Sequence, residues 1–125
     1  MSPPVLLCID DRSQMLELRK TNLEPLGFSV VTATDTSTAL TILEHLPVAA
    51  VLVEYKREGI DAEAVAYQIK QRFPYEPIIL LSAYSDMPDR ILWLMDEYVM
   101  KSEPLERLAE VVERVTRQRR REAAA

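Results

Sequence analysis

The chain has 125 residues, with 15 Lys and Arg against 20 Asp and Glu, a net charge of -5 and 48% hydrophobic residues. This composition excludes global disorder and argues against a nucleic-acid-binding or anionic-membrane surface spread over the whole chain. The lone cysteine, Cys8, excludes an internal disulfide, and no stretch has the length of a membrane span or the pattern of a secretory leader; one cytoplasmic domain over 1–125, with a basic tail at 117–125, is the default expectation.

In chain order, two periodicities alternate. Val5 to Ile9 is a short apolar run, predicted as a buried strand, and it ends at Asp10 and Asp11. Met15, Leu16, Leu18, Leu23 and Leu26 predict a helix from Ser13 to Leu26, with Gly27 as its left-handed cap. Phe28 to Ala33 is the second strand. Asp35 to Thr38 offers side-chain oxygens to cap a second helix with the apolar face Ala39, Ile42, Leu43 and Leu46. Val48 to Val53 is a continuous apolar run after Pro47, predicted as the central strand, buried on both faces, with Glu54 where it meets solvent. Beyond Gly59, the positions Val65, Ala66, Ile69 and Phe73 predict a third helix over Asp61 to Phe73, closed by Pro74 and Pro77. Ile78 to Leu81 is the fourth strand. Pro88 suits the first turn of a brief helix within Ser85 to Glu97, and Tyr98 to Met100 is a fifth strand ending at Lys101. Leu105, Leu108, Val112 and Val115 mark the inner face of a last helix that runs into Arg117 to Arg121. Strand-helix units joined this closely predict an α/β fold, a doubly wound five-stranded parallel sheet with helices on both faces.

The polar residues at the strand ends then form a set: Asp10 and Asp11, Glu54, Ser82 and Lys101. With strand one between strands two and three, these ends meet at the crevice where ligand sites of open α/β sheets collect. Carboxylates gathered there repel one another, so they call for an ammonium, a hard divalent cation, or both; Lys101 and Mg²⁺ are the candidates.

With LLCIDD, LLSAY and YVMK in these positions, the chain resembles a receiver domain of bacterial two-component response regulators from Val5 to about Arg117. The resemblance implies the flavodoxin-like strand order 2-1-3-4-5. It further implies Mg²⁺ held by Asp10, Asp11, the acceptor position Glu54 and the backbone carbonyl of Lys56. Lys101 would pair with the phosphoryl group, and Ser82 and Tyr98 would be the switch residues. Implied partners are a histidine kinase or a downstream effector, with a homodimer through helix four and strand five as a further expectation.

Departures concentrate at the centre. The family accepts phosphate on aspartate, and the extra methylene of Glu54 displaces the carboxylate by about 1.5 Å, where misplacement of about 1 Å can cost a hundredfold in rate. The same extension brings a negative group toward Lys101 and Ser82. Arg57 and Glu58 replace the usual Met-Pro before Gly59, and Ser102 replaces a proline, so the peptide bond after Lys101 is expected trans. The interval from Ser82 to Lys101 is about one helical turn short, which predicts a shortened helix four. Leu92, Trp93 and Met95 in that segment are the candidate partner surface, and Tyr84 is placed to cover the site. Cys8, His45 and Met87 are read as ordinary packing or surface residues, and the arginines at 117, 119, 120 and 121 as favouring a helix C-terminus.

The leading expectation is a stand-alone receiver-like signalling module, not an enzyme, that acts by protein-protein contact, with Glu54 partly mimicking the phosphorylated state. Three alternatives stay open. Glu54 could simply pair with Lys101 after loss of function; the chain could be a phosphoaccepting receiver; or it could be a Mg²⁺-dependent phosphohydrolase. The last is weakened because Asp10 and Asp11 are adjacent, where such enzymes generally space a nucleophile and an acid.

Overall fold

The structure, a computed structural model, describes residues 3–124; the side chains of 119, 120 and 122–124 lie outside the description, so of the arginines in the basic tail only Arg117 and Arg121 are described in full. The strands are β1 (Val5–Ile9), β2 (Ser29–Ala33), β3 (Ala50–Glu54), β4 (Ile78–Ser82) and β5 (Glu97–Met100). The helices are α1 (Ser13–Leu23), α2 (Thr36–His45), α3 (Ala62–Arg72), α4 (Asp89–Leu92) and α5 (Leu105–Ala124). The strands pair in parallel in the order β2-β1-β3-β4-β5, the doubly wound order expected.

Alternation along the strands divides the core in two, because successive side chains point to opposite faces. Leu6 and Cys8 of β1, with Ala50 and Leu52 of β3, pack against Leu16 and Leu23 of α1 and Leu108, Val111, Val112 and Val115 of α5. Leu7 and Ile9, with Val51 and Val53, pack against Ala39 of α2, Val65, Ala66 and Ile69 of α3 and Ile91 of α4. The central strands are covered on both sides, which is why they are apolar runs rather than alternating ones. Cys8 is buried and its thiol is pushed up to about 12 by that burial, with the Arg19 charge pulling weakly the other way.

Local chemistry sets the helix starts. Asp35 accepts from the Thr38 N–H at 2.7 Å, and Asp61 accepts from the N–H groups of Glu63 at 3.0 Å and Ala64 at 3.2 Å, satisfying donors that a first helical turn leaves free.

Several elements differ from the sequence expectation. The first helix stops at Leu23, and Glu24–Leu26 forms a 3₁₀ turn capped by Gly27 at φ 101°. Pro25 is the cause: its ring removes an N–H and crowds the preceding turn. Leu18 is exposed, since at 3.6 residues per turn it lies about 200° around the helix from Leu16. Leu105, expected on the inner face of α5, is 41% exposed at the first helical position, and Val111 is fully buried in its stead. The fourth helix is reduced to a single turn, as the short interval predicts, and the described residues contain no cis peptide bond. Among the described residues no helix is long and apolar enough to cross a membrane.

Candidate functional site

Sheet register brings the polar strand ends together. Ile9 stands opposite Val53, so Asp10 and Glu54 follow side by side, while Ser82 stands opposite Met100 with Lys101 next in the chain. The Tyr55 N–H donates to the Leu81 carbonyl at 2.8 Å and the Lys101 N–H to the Ser82 carbonyl at 2.8 Å, which carries the parallel ladder to the edge of the site. Above it lies an open cleft of about 630 Å³ lined by Arg12, Glu54, Lys56, Arg57, Tyr84 and Lys101, among others.

Glu54 is 11% exposed and already committed. Arg19 Nη2 donates to its Oε1 at 2.6 Å, and Lys101 Nζ lies 3.2 Å from the same oxygen. Lys101 is thus within ion-pair distance of Glu54, one of the two partners the sequence leaves open for it. Arg19 is the functional residue that sequence reasoning missed. Its signal was present: Arg19 stands three residues after Leu16 and four before Leu23, on the one stripe of α1 that is buried, where a charge needs a partner.

The acid pair has a partner of its own. Lys56 Nζ donates to Asp10 Oδ1 at 2.5 Å and to Asp11 Oδ1 at 3.2 Å. Asp10 is 2% exposed; its Oδ1 also accepts from the Arg12 N–H at 2.8 Å, whereas its Oδ2 is buried without a hydrogen-bond partner. Burial works against the Lys56 charge, but the hydrogen bonds to Asp10 and Asp11 outweigh it and raise the ammonium above its ordinary value of 10.5. The hydrogen bond from Lys56 likewise holds the Asp11 carboxyl below 3.8. Gly59, at φ 96°, lets the loop after β3 close on this pair: a Cβ there would stand 2.6 Å from Asp11 Oδ2.

The set expected to hold Mg²⁺ is not assembled. Glu54 faces Arg19 and Lys101, the Lys56 ammonium enters the acid pair, and no group of three metal-ligating side chains is gathered among the described residues. With Lys56 Nζ on both Asp10 and Asp11, a hard dication at the acid pair would meet an ammonium already in place. The residues in this arrangement do not fit the ion.

Ser82 and Tyr98 meet through Tyr84. Ser82 Oγ accepts from the Tyr84 N–H at 2.8 Å, and its own proton lies between the Tyr84 carbonyl at 3.0 Å and Met87 Sδ at 3.5 Å. Tyr98 Oη donates to the same Tyr84 carbonyl at 2.5 Å, with its ring half-buried against the α2–α3 core. The Tyr84 ring is covered in turn, with Arg57 4.3 Å from its centre and Tyr55 edge-on at 6.0 Å. The Ser82 hydroxyl is thus spent on Tyr84 and Met87 and not on Glu54. Met87, read as a loop or gap-filling residue, belongs to the core of this loop. On the outer surface Trp93 is 86% exposed, while Leu92 and Met95 are half-buried beneath it.

Two measurements follow from these contacts. In a double-mutant cycle of Arg19→Met and Glu54→Gln read by urea unfolding, a coupling of about 1–3 kcal/mol is expected, and additive effects would contradict the buried pairing. The pH dependence has a definite sign. The Asp11 contribution is present above 3.8 and is lost as pH falls below it, and the Lys56 contribution is present below 10.5 and is lost as pH rises through its raised value. Lys56→Met should therefore flatten the acid-side fall in melting temperature relative to the native chain, and equal slopes would contradict the pairing.

Comparison with known proteins agrees with this fold. The family model described as the response regulator receiver domain matches residues 6–113. A "Probable transcriptional regulator ycf27" of Cyanophora paradoxa is 32% identical over 99 residues, covering 77% of this chain and 41% of that protein. The crystal structure of response regulator protein TrrA from Thermotoga maritima, in complex with Mg²⁺-BeF, superposes with a TM-score of 0.77 at 32% identity and covers 90% of this chain and 98% of that one. A receiver domain protein from Clostridium thermocellum, at 24% identity, shares the fold with a TM-score of 0.81, covering 94% of this chain and 97% of that one. The chain spans well under half the length of the ycf27 proteins it matches, 41% in the Cyanophora case.

Proposed function

The chain belongs to the response regulator receiver domain family, and from that membership we propose that it is a receiver-like signalling module whose state is set by Glu54 and its cations rather than by phosphoryl transfer. The observation that carries this reading is the double engagement of Glu54, at 2.6 Å by Arg19 and 3.2 Å by Lys101. In-line attack on phosphorus needs a carboxylate held at the right reach and a positioned metal. Here the Oε1 atom lies between two cations, the side chain is one methylene longer than aspartate, and the acid pair is filled by Lys56.

Glu54 satisfies Lys101 as a phosphoryl oxygen would, and Tyr98 lies inward with its hydroxyl on the Tyr84 carbonyl. Those two contacts support a partial mimic of the phosphorylated state; Ser82, bonded to Tyr84, stands outside it. Output then runs through protein contact at the α4–β5 surface. Trp93 supplies the anchor, with Leu92 and Met95 rooting it in the core, and a histidine kinase or a downstream effector is the class of partner. Residues 1–125 act as one receiver-like unit in this reading, a signalling module in the cytoplasm.

Intact-protein mass after incubation with acetyl phosphate and Mg²⁺ tests the central point. Neither the native chain nor Glu54→Gln is expected to gain a phosphoryl group. A native chain that gains it while Glu54→Gln does not would establish the alternative, a phosphoaccepting receiver with a glutamyl nucleophile.

A further inference from the structure

We propose that the Lys56 ammonium is the resident cation of the Asp10–Asp11 pair and keeps divalent cations out of this site. Charges at the sheet edge balance without a metal. The carboxylates of Asp10, Asp11 and Glu54 face the cations Lys56, Arg19 and Lys101, each within 3.2 Å of a partner oxygen. The acid pair is closed on several sides. Asp10 Oδ1 receives both Lys56 Nζ at 2.5 Å and the Arg12 N–H at 2.8 Å, and Asp11 Oδ1 receives Lys56 Nζ at 3.2 Å.

Tethering makes this cation persistent. Lys56 is two residues past Glu54 at the end of β3, its side chain is only 11% exposed, and the loop that follows packs so closely that Gly59 leaves no room for a Cβ beside Asp11. An ammonium fixed on the chain stands at a high effective concentration beside its carboxylates, whereas a free ion must displace it and shed much of its own water. A dication placed here would also meet Arg19 and Lys101 at Glu54, with the third carboxylate of the expected metal set already turned to them. Asp10 Oδ2 is the one buried oxygen without a hydrogen-bond partner at the site, and Lys56 Nζ already stands on the Oδ1 atoms of both Asp10 and Asp11. In size and charge the occupant that fits is a monovalent ammonium, and the sequence supplies it.

The assignment rests on the same arrangement of Glu54 and its cations as the proposed function, but its test contains no phosphodonor, so a failure here is distinguishable from phosphoryl transfer to the native chain. Mg²⁺ is titrated calorimetrically into the full chain, and Mn²⁺ binding is followed by electron paramagnetic resonance, for the native protein, Lys56→Met and Lys56→Gln; circular dichroism identifies the folded variants. The native chain is expected to show no saturable binding at millimolar ion, and a folded Lys56 variant to bind at least tenfold more tightly. Saturable sub-millimolar binding by the native chain overturns the proposal whatever the variants do. So does a folded Lys56 variant that binds no better than the native chain.

Discussion

The structure depends on neutralising carboxylates at the carboxyl edge of a buried parallel sheet. Asp10 and Glu54 terminate adjacent strands and are almost wholly removed from solvent, at 2% and 11% exposure. Removing such charges from water costs several kcal/mol per ion unless the geometry returns it in ion pairs and hydrogen bonds. The chain meets this constraint with a lysine from the loop after β3, a lysine after β5 and an arginine from α1. Each cation comes from a different element, so the electrostatics also tie α1, β1, β3 and β5 to one another.

A second consequence is directional. Glu54 pairs with Arg19 and Lys101, while Tyr84, across the cleft, joins Ser82 at 2.8 Å to Tyr98 at 2.5 Å through its backbone. The loop after β4 is therefore fixed at its amide, its carbonyl and its ring, the last between Arg57 and Tyr55. From there it leads within a few residues to the single turn of α4 and to exposed Trp93. Loss of most of a fourth helix leaves this aromatic on a short, well-anchored segment, with Ile91 buried below and Met87 packed beside the Ser82 hydroxyl. Ser82, Tyr84 and Met87 thus join the end of β4, through hydrogen bonds and packing, to the segment that carries Trp93.

Much of this was legible in the chain itself. The apolar runs at Leu6, Val51 and Ile79 announce strands covered on both faces, and Asp35 and Asp61 announce helix starts, because both signals come from local physics. The strand order and the meeting of Asp10, Glu54, Ser82 and Lys101 follow from topology once five parallel strands are assumed. What was not legible depends on where long side chains turn. Lys56 was assigned by its carbonyl, but its four-carbon stem reaches back to Asp10. Arg19 shares a stripe with Leu16 and Leu23, but its partner Glu54 lies 35 residues away in the chain. The first helix ends at Leu23 and not at Leu26 because Pro25 acts before the Gly27 stop signal.

The most direct test of an internally set site is whether the native chain responds to the ligands that would load a metal-dependent one. Backbone NMR spectra of the native protein, recorded with and without Mg²⁺ and beryllofluoride, would follow Ser82, Tyr84 and Tyr98. Unchanged amide positions at those residues are predicted, because Glu54 and Lys56 already occupy the places that the added groups would take. Saturable shifts centred on Ser82 and Tyr98 would contradict the account and show a receiver still switched from outside.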